Sequence, residues 1–517
     1  MPQDIQHVER TGNLPHAQDR AAEVLLQASH SVALTKENNK RVLWKIDTRI
    51  LPIILAVYFA QFIDKTTITY ASLFGFTTDT HLVGHQFSWL GSCVYVAQLV
   101  FQPLVAYFLV KLPLAKFITT LTLCWGICLT CMAAATTFKG LLVARIFLGI
   151  FEAGVAPAFI ALSQMWWRRR EQPFRIALWY GQNGVVGMFG SLIAYGIAKI
   201  HSPLKVYQII FLFFGCITVV LAGLIWYILP DSPMTARFLK DDDKLIALER
   251  LRDNQQGVES REWKWSQARE AFLDYKTWGW GFMMFSVSVP SGGISTFNTL
   301  ILKDFGFDSF TTLLFNIPQG AVQLLAILGG AWIVTKTKLK SPVLAFLSIP
   351  PIIGCVILLY VKRGPHNKGI LLFAYYIISV YPGVTPLVYS WSAANTAGET
   401  KKKVTTAILF GLQCTGNIVG PQLYTTAEAP LYRRGLLSNL ALFVVLIGLY
   451  ALQVTYLFFM NKKQERRRVA EGKAAKIQDR SMQEVQARSK DETDVPHAEH
   501  AFDDLTDFEN SEFVYVY

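Results

Sequence analysis

Arg145 and Glu152 stand seven residues apart in the otherwise apolar run ARIFLGIFEAGVAPAF, residues 144–159. At about 100° per residue that is close to two turns, so on a helix they share one face, about 10 Å apart along the axis. A second acid and base, Asp64 and Lys65, sit in AQFIDKTTITYASLFG, residues 60–75. In a low-dielectric cavity such a set can do coupling chemistry. Burial disfavours any charged carboxylate and a nearby base restores it, so the proton occupancy of Asp64 or Glu152 responds to whether Arg145 or Lys65 is engaged by an anion. The plainer alternative is a static cluster that locks two helices together, which apolar residues would do at lower cost.

These four residues need apolar helices to hold them. Of 517 residues 52% are hydrophobic and 17% charged, and the charges crowd into a few segments. A span needs about 20 mostly apolar residues to cross about 30 Å of hydrocarbon. Twelve such runs occur, over 50–72, 88–109, 114–136, 140–162, 174–198, 207–229, 279–301, 312–335, 342–361, 370–391, 404–426 and 436–459. The fold class expected is therefore an all-α membrane protein of twelve transmembrane helices in two six-helix halves. A charge at the bilayer centre costs between about 3 and 17 kcal/mol, so the acids and bases of spans 1 and 4 are expected to face a cavity or each other.

The polar start lacks a signal-peptide core, and Lys36, Lys40, Arg41, Lys45 and Arg49 precede span 1 while Lys462, Lys463, Arg466, Arg467 and Arg468 follow span 12. Both termini are expected to be cytoplasmic, with Arg168–Arg170, Arg175 and Lys401–Lys403 in loops on the same side; Lys362, Arg363 and Lys368 fall opposite. The expected division is an N-terminal tail over 1–47, a first half over 48–230, a connector over 231–277, a second half over 278–460 and a C-terminal tail over 461–517. Leu239, Ile246 and Leu251 among the connector's charges predict short amphipathic helices against the cytoplasmic face. From 477 onward eleven acidic residues face three basic ones, a composition that predicts a tail without stable structure.

The formal charge of +12 is topology and lipid contact; there is no soluble basic domain to hold nucleic acid. All seven cysteines lie in spans, as packing residues. Cys124, Cys128 and Cys131 share a helix face but have no His or acidic neighbour to complete a metal site, and no nucleophile or cofactor constellation stands outside the spans. No metal, no cofactor and no enzymatic activity are expected. Other polar residues that could line a cavity are Tyr95, Gln98, Gln182, Asn183, Asn298, Gln319, Gln323, Tyr389, Asn395, Gln413 and Asn417, each equally able to bond between helices.

RIFLGIFEAGVAPAF, MWWRRREQPFRIALWYGQNG, PDSPMTARFL, FGFDSFTTLLFNIPQGAVQL and SWSAANTAGETKKKVTTAILFGLQCTGNIVGPQLY resemble the fungal allantoate permease family, a branch of the anion:cation symporters in the major facilitator superfamily. The resemblance covers residues 45–460. It implies an alternating-access carrier for small organic anions, with proton symport. In symporters of this type an acid beside a base in helix 1, and an Arg with a Glu two turns later in helix 4, serve proton coupling and carboxylate binding; Asp64, Lys65, Arg145 and Glu152 match those positions. The loop between helices 2 and 3 commonly reads GxxxDRxGRR, whereas AYFLVKLPLAKF here has no Asp, so the gating salt bridge assigned to that loop lacks its acid. Span 5 reads GQNGVVGMFGSLIAYG, without the proline of the drug-efflux element.

The expectation is thus a monomeric plasma-membrane importer of small carboxylates such as nicotinate, allantoate or pantothenate, coupled to protons. Arg145, Lys65, Gln182, Asn183, Asn298, Gln319, Tyr389 and Asn395 are the candidate substrate ligands, and Glu152 and Asp64 the candidate proton carriers. Export of an acidic metabolite and a non-transporting nutrient receptor are the alternatives. The intact charge set speaks against the receptor, which need not couple protons.

Overall fold

The computed structural model describes residues 35–475 and 504–517 apart from 74–75, 84–85, 199, 201, 253–261, 304, 306–308, 363 and 425–430. Among the described residues nine helices or joined helix pairs are long and apolar enough to cross a membrane. The other three predicted spans, 5, 7 and 11, are not among these nine. In order, the first half has α1 (Lys36–Leu73), α2 (Gln86–Lys111), α3 (Leu114–Met132), α4 (Phe138–Glu152) with α5 (Val155–Trp166), α6 (Gln172–Tyr180) with α7 (Gln182–Ala198), and α8 (Val206–Ile228). The connector carries α9 (Asp241–Arg252) and α10 (Trp265–Leu273). The second half has α11 (Tyr275–Lys303), α12 (Ser309–Thr337), α13 (Ser341–Tyr360), α14 (Lys368–Ile378) with α15 (Val384–Ala394), α16 (Glu399–Gln422) and α17 (Arg433–Ala470). Each of the twelve predicted spans is mainly helical over its described residues.

The two halves repeat one packing plan that the layout alone implied. Span 1 packs on span 5 (α1 on α7) as span 7 does on span 11 (α11 on α16), and span 3 packs on span 6 (α3 on α8) as span 9 does on span 12 (α13 on α17). Across the interface α2 lies against α16 and α7 against α12, which is the same pairing exchanged between halves. Close approach needs small residues. A Cβ on Gly149 of α4 would stand 2.6 Å from the Val94 carbonyl of α2, and one on Gly184 of α7 2.5 Å from the Gly320 carbonyl of α12.

Spans 4 and 10, which occupy equivalent places in the two halves, are both broken halfway. In span 4 the break has a chemical cause: Pro157 has no N–H to give the carbonyl four residues back, that of Ala153. Gln102 Nε2 of α2 takes that carbonyl instead at 3.1 Å, and Gln61 Nε2 of α1 reaches the Glu152 carbonyl at 3.4 Å. Backbone polar groups freed inside a membrane must find such partners. Span 10 breaks at the 3-10 turn Tyr381–Gly383, which holds Pro382, with Pro386 following in α15.

Among the described residues, the start of α1, the connector and residues 504–517 lie on one face of the bundle, here called the tail face. Leu239, Ile246 and Leu251 of the connector are buried, and α9 packs on α1 and α5 as amphipathic helices should. Asp243 pairs with Arg41 at 2.7 Å and Lys45 at 2.6 Å, while Arg250 pairs with Glu171 at 2.9 Å. Two expectations fail on this face. Lys401, Lys402 and Lys403 are not loop residues; they lie buried in the first turns of α16. The C-terminal tail is not wholly without structure either. Helix α17 runs on to Ala470, and residues 504–517 pack into the tail face with Phe513, Tyr515, Thr506 and Asp507 buried. An acidic composition predicts solvation only when no buried bases await it, and here Lys276 and Lys401 do.

Candidate functional site

Because α4 ends at Glu152, the break sets that carboxylate halfway along the 29-residue span Phe138–Trp166, with 0% exposure. Its Oε2 accepts from Gln98 Nε2 of α2 at 3.1 Å and stands 3.8 Å from Lys65 Nζ of α1. Among the described residues its Oε1 has no hydrogen-bond partner. Gln98 continues across the interface, since its Oε1 accepts a 3.6 Å contact from Cys414 Sγ of α16. A chain of side chains thus joins the coupling candidate of one half to the other half.

Two turns earlier on the same face, Arg145 is 3% exposed. Its Nε donates to the Leu90 carbonyl of α2 at 3.1 Å, and its Nη1 has no partner among the described residues. Both Arg145 and Lys65 act electrostatically on Glu152. The expected cluster of four charges therefore forms only in part. Asp64 does not pair with Arg145; its Oδ2 accepts from Trp125 Nε1 of α3 at 2.8 Å and from Thr218 Oγ1 of α8 at 3.4 Å, behind α1. The reason is the 100° between neighbours on a helix. Lys65, partly exposed, faces α4 while Asp64, 0% exposed, faces α3 and α8.

A cluster of buried tyrosines lies nearby. Tyr389 of α15 donates its hydroxyl to Gln413 Oε1 of α16 at 2.5 Å, and Tyr180, the last residue of α6, faces Gln413 and Thr385 across the interface. Tyr58 of α1 lies beside Tyr180 with ring centroids 5.9 Å apart. Tyr381, at the break of span 10, donates to Ser291 Oγ of α11 at 3.3 Å. Tyr58, Tyr180 and Tyr381 escaped the sequence reading. Pro382 and Gly383, which break span 10 beside Tyr381, were the signal that could have found that residue; Tyr58 and Tyr180 carried none.

The remaining candidates divide. Gln182 follows the break at Gly181 and its Nε2 reaches only the Leu178 carbonyl, at 3.5 Å; Asn183 beside it keeps a buried Oδ1 without a partner among the described residues. Gln319 of α12 is buried and bonds to Tyr375 of α14. The Asn298 side chain lies outside the described residues. Asn395 is the clear departure. It caps the tail-face end of α15, where its Oδ1 accepts from Val516 N at 2.7 Å and its Nδ2 donates to the Val516 carbonyl at 3.0 Å, so the C-terminal segment occupies it and not the central region. An acid from elsewhere in the chain stands beside the loop between spans 2 and 3. Asp231, just past span 6, accepts at Oδ1 from Ala115 N and Lys116 N at the start of α3, at 3.1 and 3.3 Å.

The family model of the Major Facilitator Superfamily matches residues 54–421. The chain belongs to the major facilitator superfamily. Members of this superfamily are membrane transporters and not enzymes. Among relatives in Saccharomyces cerevisiae, the thiamine pathway transporter THI73 is 33% identical over 93% of this chain and 87% of its own, and allantoate permease is 29% identical over 98% and 92%. The same fold is seen in the solved proton:xylose symporter XylE, with TM-score 0.61 and 14% identity over 80% of this chain and 95% of that one. It is seen also in the human organic anion transporter MFSD10, with TM-score 0.56 and 14% identity over 79% and 98%.

Proposed function

We propose that this superfamily member carries small organic carboxylates into the cell by proton symport, with the tail face cytoplasmic. One observation carries the reading: a buried guanidinium with a free edge and a buried carboxylate with a free oxygen share one face of a helix that breaks at the carboxylate. The Arg145 Nη1 edge is the natural anchor for a substrate carboxylate, because a planar fork grips two oxygens at once. Glu152 and Lys65, 3.8 Å apart, are held loosely enough to part when a proton or an anion arrives. Protonation of Glu152 releases Lys65 to the anion, and departure of the anion returns Lys65 to Glu152, which then sheds its proton. Tyr58, Tyr180, Tyr389 and Gln413 supply the aromatic and amide wall against which a small planar acid would rest.

Asp64, tied to Trp125 and Thr218 away from that wall, takes the lesser part. Its Oδ1 is also buried without a hydrogen-bond partner among the described residues, but Asp64 makes no ion pair with either base, whereas Glu152 stands 3.8 Å from Lys65 on the face of Arg145, so Glu152 is taken as the main proton carrier. The name of one relative, allantoate permease, supports a carboxylate as cargo. The test is uptake into proteoliposomes of labelled nicotinate, allantoate and pantothenate with and without an imposed inward proton gradient. Accumulation of one of them only with the gradient supports the proposal; uptake of any of them that ignores the gradient removes symport from it.

A further inference from the structure

The segment 504–517 lies across both halves on the tail face, and its contacts are unequal. On the second half it is deeply anchored. Asp507, fully buried, pairs with Lys276 Nζ of α11 at 2.6 Å and with Lys401 Nζ of α16 at 2.8 Å, and Tyr515 donates its hydroxyl to the same carboxylate at 2.9 Å. Both backbone groups of Val516 are taken by Asn395, and Trp391 Nε1 adds a second bond to the Val516 carbonyl at 2.9 Å. The extension of α17 completes the cradle, with Asn461 bonded to both the amide and the carbonyl of Tyr515. On the first half the segment is held at Arg169. The Arg169 guanidinium, from the turn between α5 and α6, stacks 4.7 Å over the Phe513 ring and donates to the Val514 carbonyl at 3.3 Å. Arg169 also donates to the Ala394 carbonyl at the end of α15, and beside it Gln164 Nε2 of α5 reaches the Ala393 carbonyl at 3.3 Å.

The geometry points to a latch: the chain's own C-terminal segment, seated on the second half, reaches over the seam and holds the first half by Arg169, keeping the tail face closed. In alternating access the ends of α5 and α15 must part for that face to open, and Arg169 cannot then keep Phe513, Val514 and Ala394 together. Opening therefore requires Arg169 to let go, and whatever frees the segment from Lys276, Lys401 and Asn395 shifts the carrier toward opening. The inference rests on the alternating-access reading above, but not on the identity of the cargo.

Hydrogen exchange on the purified full chain tests it without a substrate. Three forms are compared with the wild type: a chain ending at residue 503, full-length Asp507→Lys, and full-length Phe513→Ala. The reporters are the amides of 163–172 in the first half and of 391–402 in the second, with those of α3 as a control for folding. Loss of the segment, or Asp507→Lys, is expected to raise exchange at both reporters about tenfold or more, as buried ends become open to water. Phe513→Ala, which spares the ion cluster, is expected to raise it at 163–172 alone, and keeps the test usable if the other two variants disturb α3. A synthetic peptide of residues 504–517 should restore protection to the shortened chain. Faster exchange confined to 391–402 in all three variants would make the segment a cap on one half and overturn the latch, and so would no change at either reporter. Failure of carboxylate uptake would overturn the symport reading while leaving these exchange results to stand.

Discussion

Lys65 Nζ lies 3.8 Å from Glu152 Oε2, at the limit of an ion pair, while Glu152 Oε1, fully buried, meets no donor among the described residues. A structural salt bridge inside a membrane is normally closed more tightly and its remaining lone pairs satisfied. This one is a pair with room in it, set at the point where Pro157 breaks the helix.

Arg145→Lys should lower carboxylate uptake about ten- to hundredfold at equal expression, the cost of a charge-assisted hydrogen bond of about 1.5–3 kcal/mol. The ammonium keeps the charge but cannot bond the Leu90 carbonyl and a substrate with the geometry of the fork. Initial uptake rates against substrate concentration give the check, and an unchanged KM would assign Arg145 to packing.

The break of span 4 predicts a coupling between two distant substitutions. Gln102→Leu leaves the Ala153 carbonyl unbonded and should cost about 1–3 kcal/mol of stability. Pro157→Ala gives Ala153 its helical N–H back, so the double variant should be more stable than the sum of the single effects. Thermal unfolding of the four forms in detergent reads the interaction; strict additivity would mean that Gln102 is not there for the break.

Trp125→Phe removes the 2.8 Å donor to Asp64 and should destabilise the chain by about 1–3 kcal/mol, with uptake at permissive temperature little changed. Asp64→Asn in that background should restore part of the stability, because an amide tolerates the loss better than a carboxylate. The four melting temperatures and one uptake assay decide this. Loss of all proton-driven uptake in Trp125→Phe would move Asp64 to the centre of coupling.

Burial pushes the Asp507 carboxyl up, but the Lys276 and Lys401 ammonium groups override it and hold it well below the usual carboxylate range. A depressed pKa adds stability that is present above the unfolded value of about 3.9 and is lost only as pH falls through the folded one. Of the groups facing it, Asp274 and Tyr515 share the same lysines and hydroxyl. Glu270, raised by burial against the pull of Lys401, works in the opposite sense and gains as pH falls. Docking of 504–517 should therefore not weaken as pH falls from 8 to 5. Protection of 391–402 across that range, corrected for intrinsic exchange, is the measurement; a loss near neutrality would contradict the assignment.

The twelve spans were legible because an apolar run of membrane length admits few other structures, and Arg145 with Glu152 because helical period alone puts them on one face. Partners across helices were not. Asp64 finds Trp125 and Thr218 from spans 3 and 6, and nothing in one sequence gives the rotation of those helices about α1. Asn395 reads as a cavity residue until the segment that bonds it is placed, and that segment's acids read as solvated because Lys276 and Lys401, their counter-charges, lie more than a hundred residues away. The closing aromatic run FVYVY was the one local sign of packing in the tail.

The central claim is that Glu152 carries the coupled proton. For whichever carboxylate the wild-type chain accumulates, proteoliposomes bearing Glu152→Gln should be assayed in parallel for gradient-driven uptake and for counterflow with substrate on both sides. A glutamine cannot cycle between charged and neutral states, while exchange needs only rocking of the loaded carrier. The account predicts loss of concentrative uptake with counterflow preserved. Full gradient-driven accumulation by Glu152→Gln would contradict it.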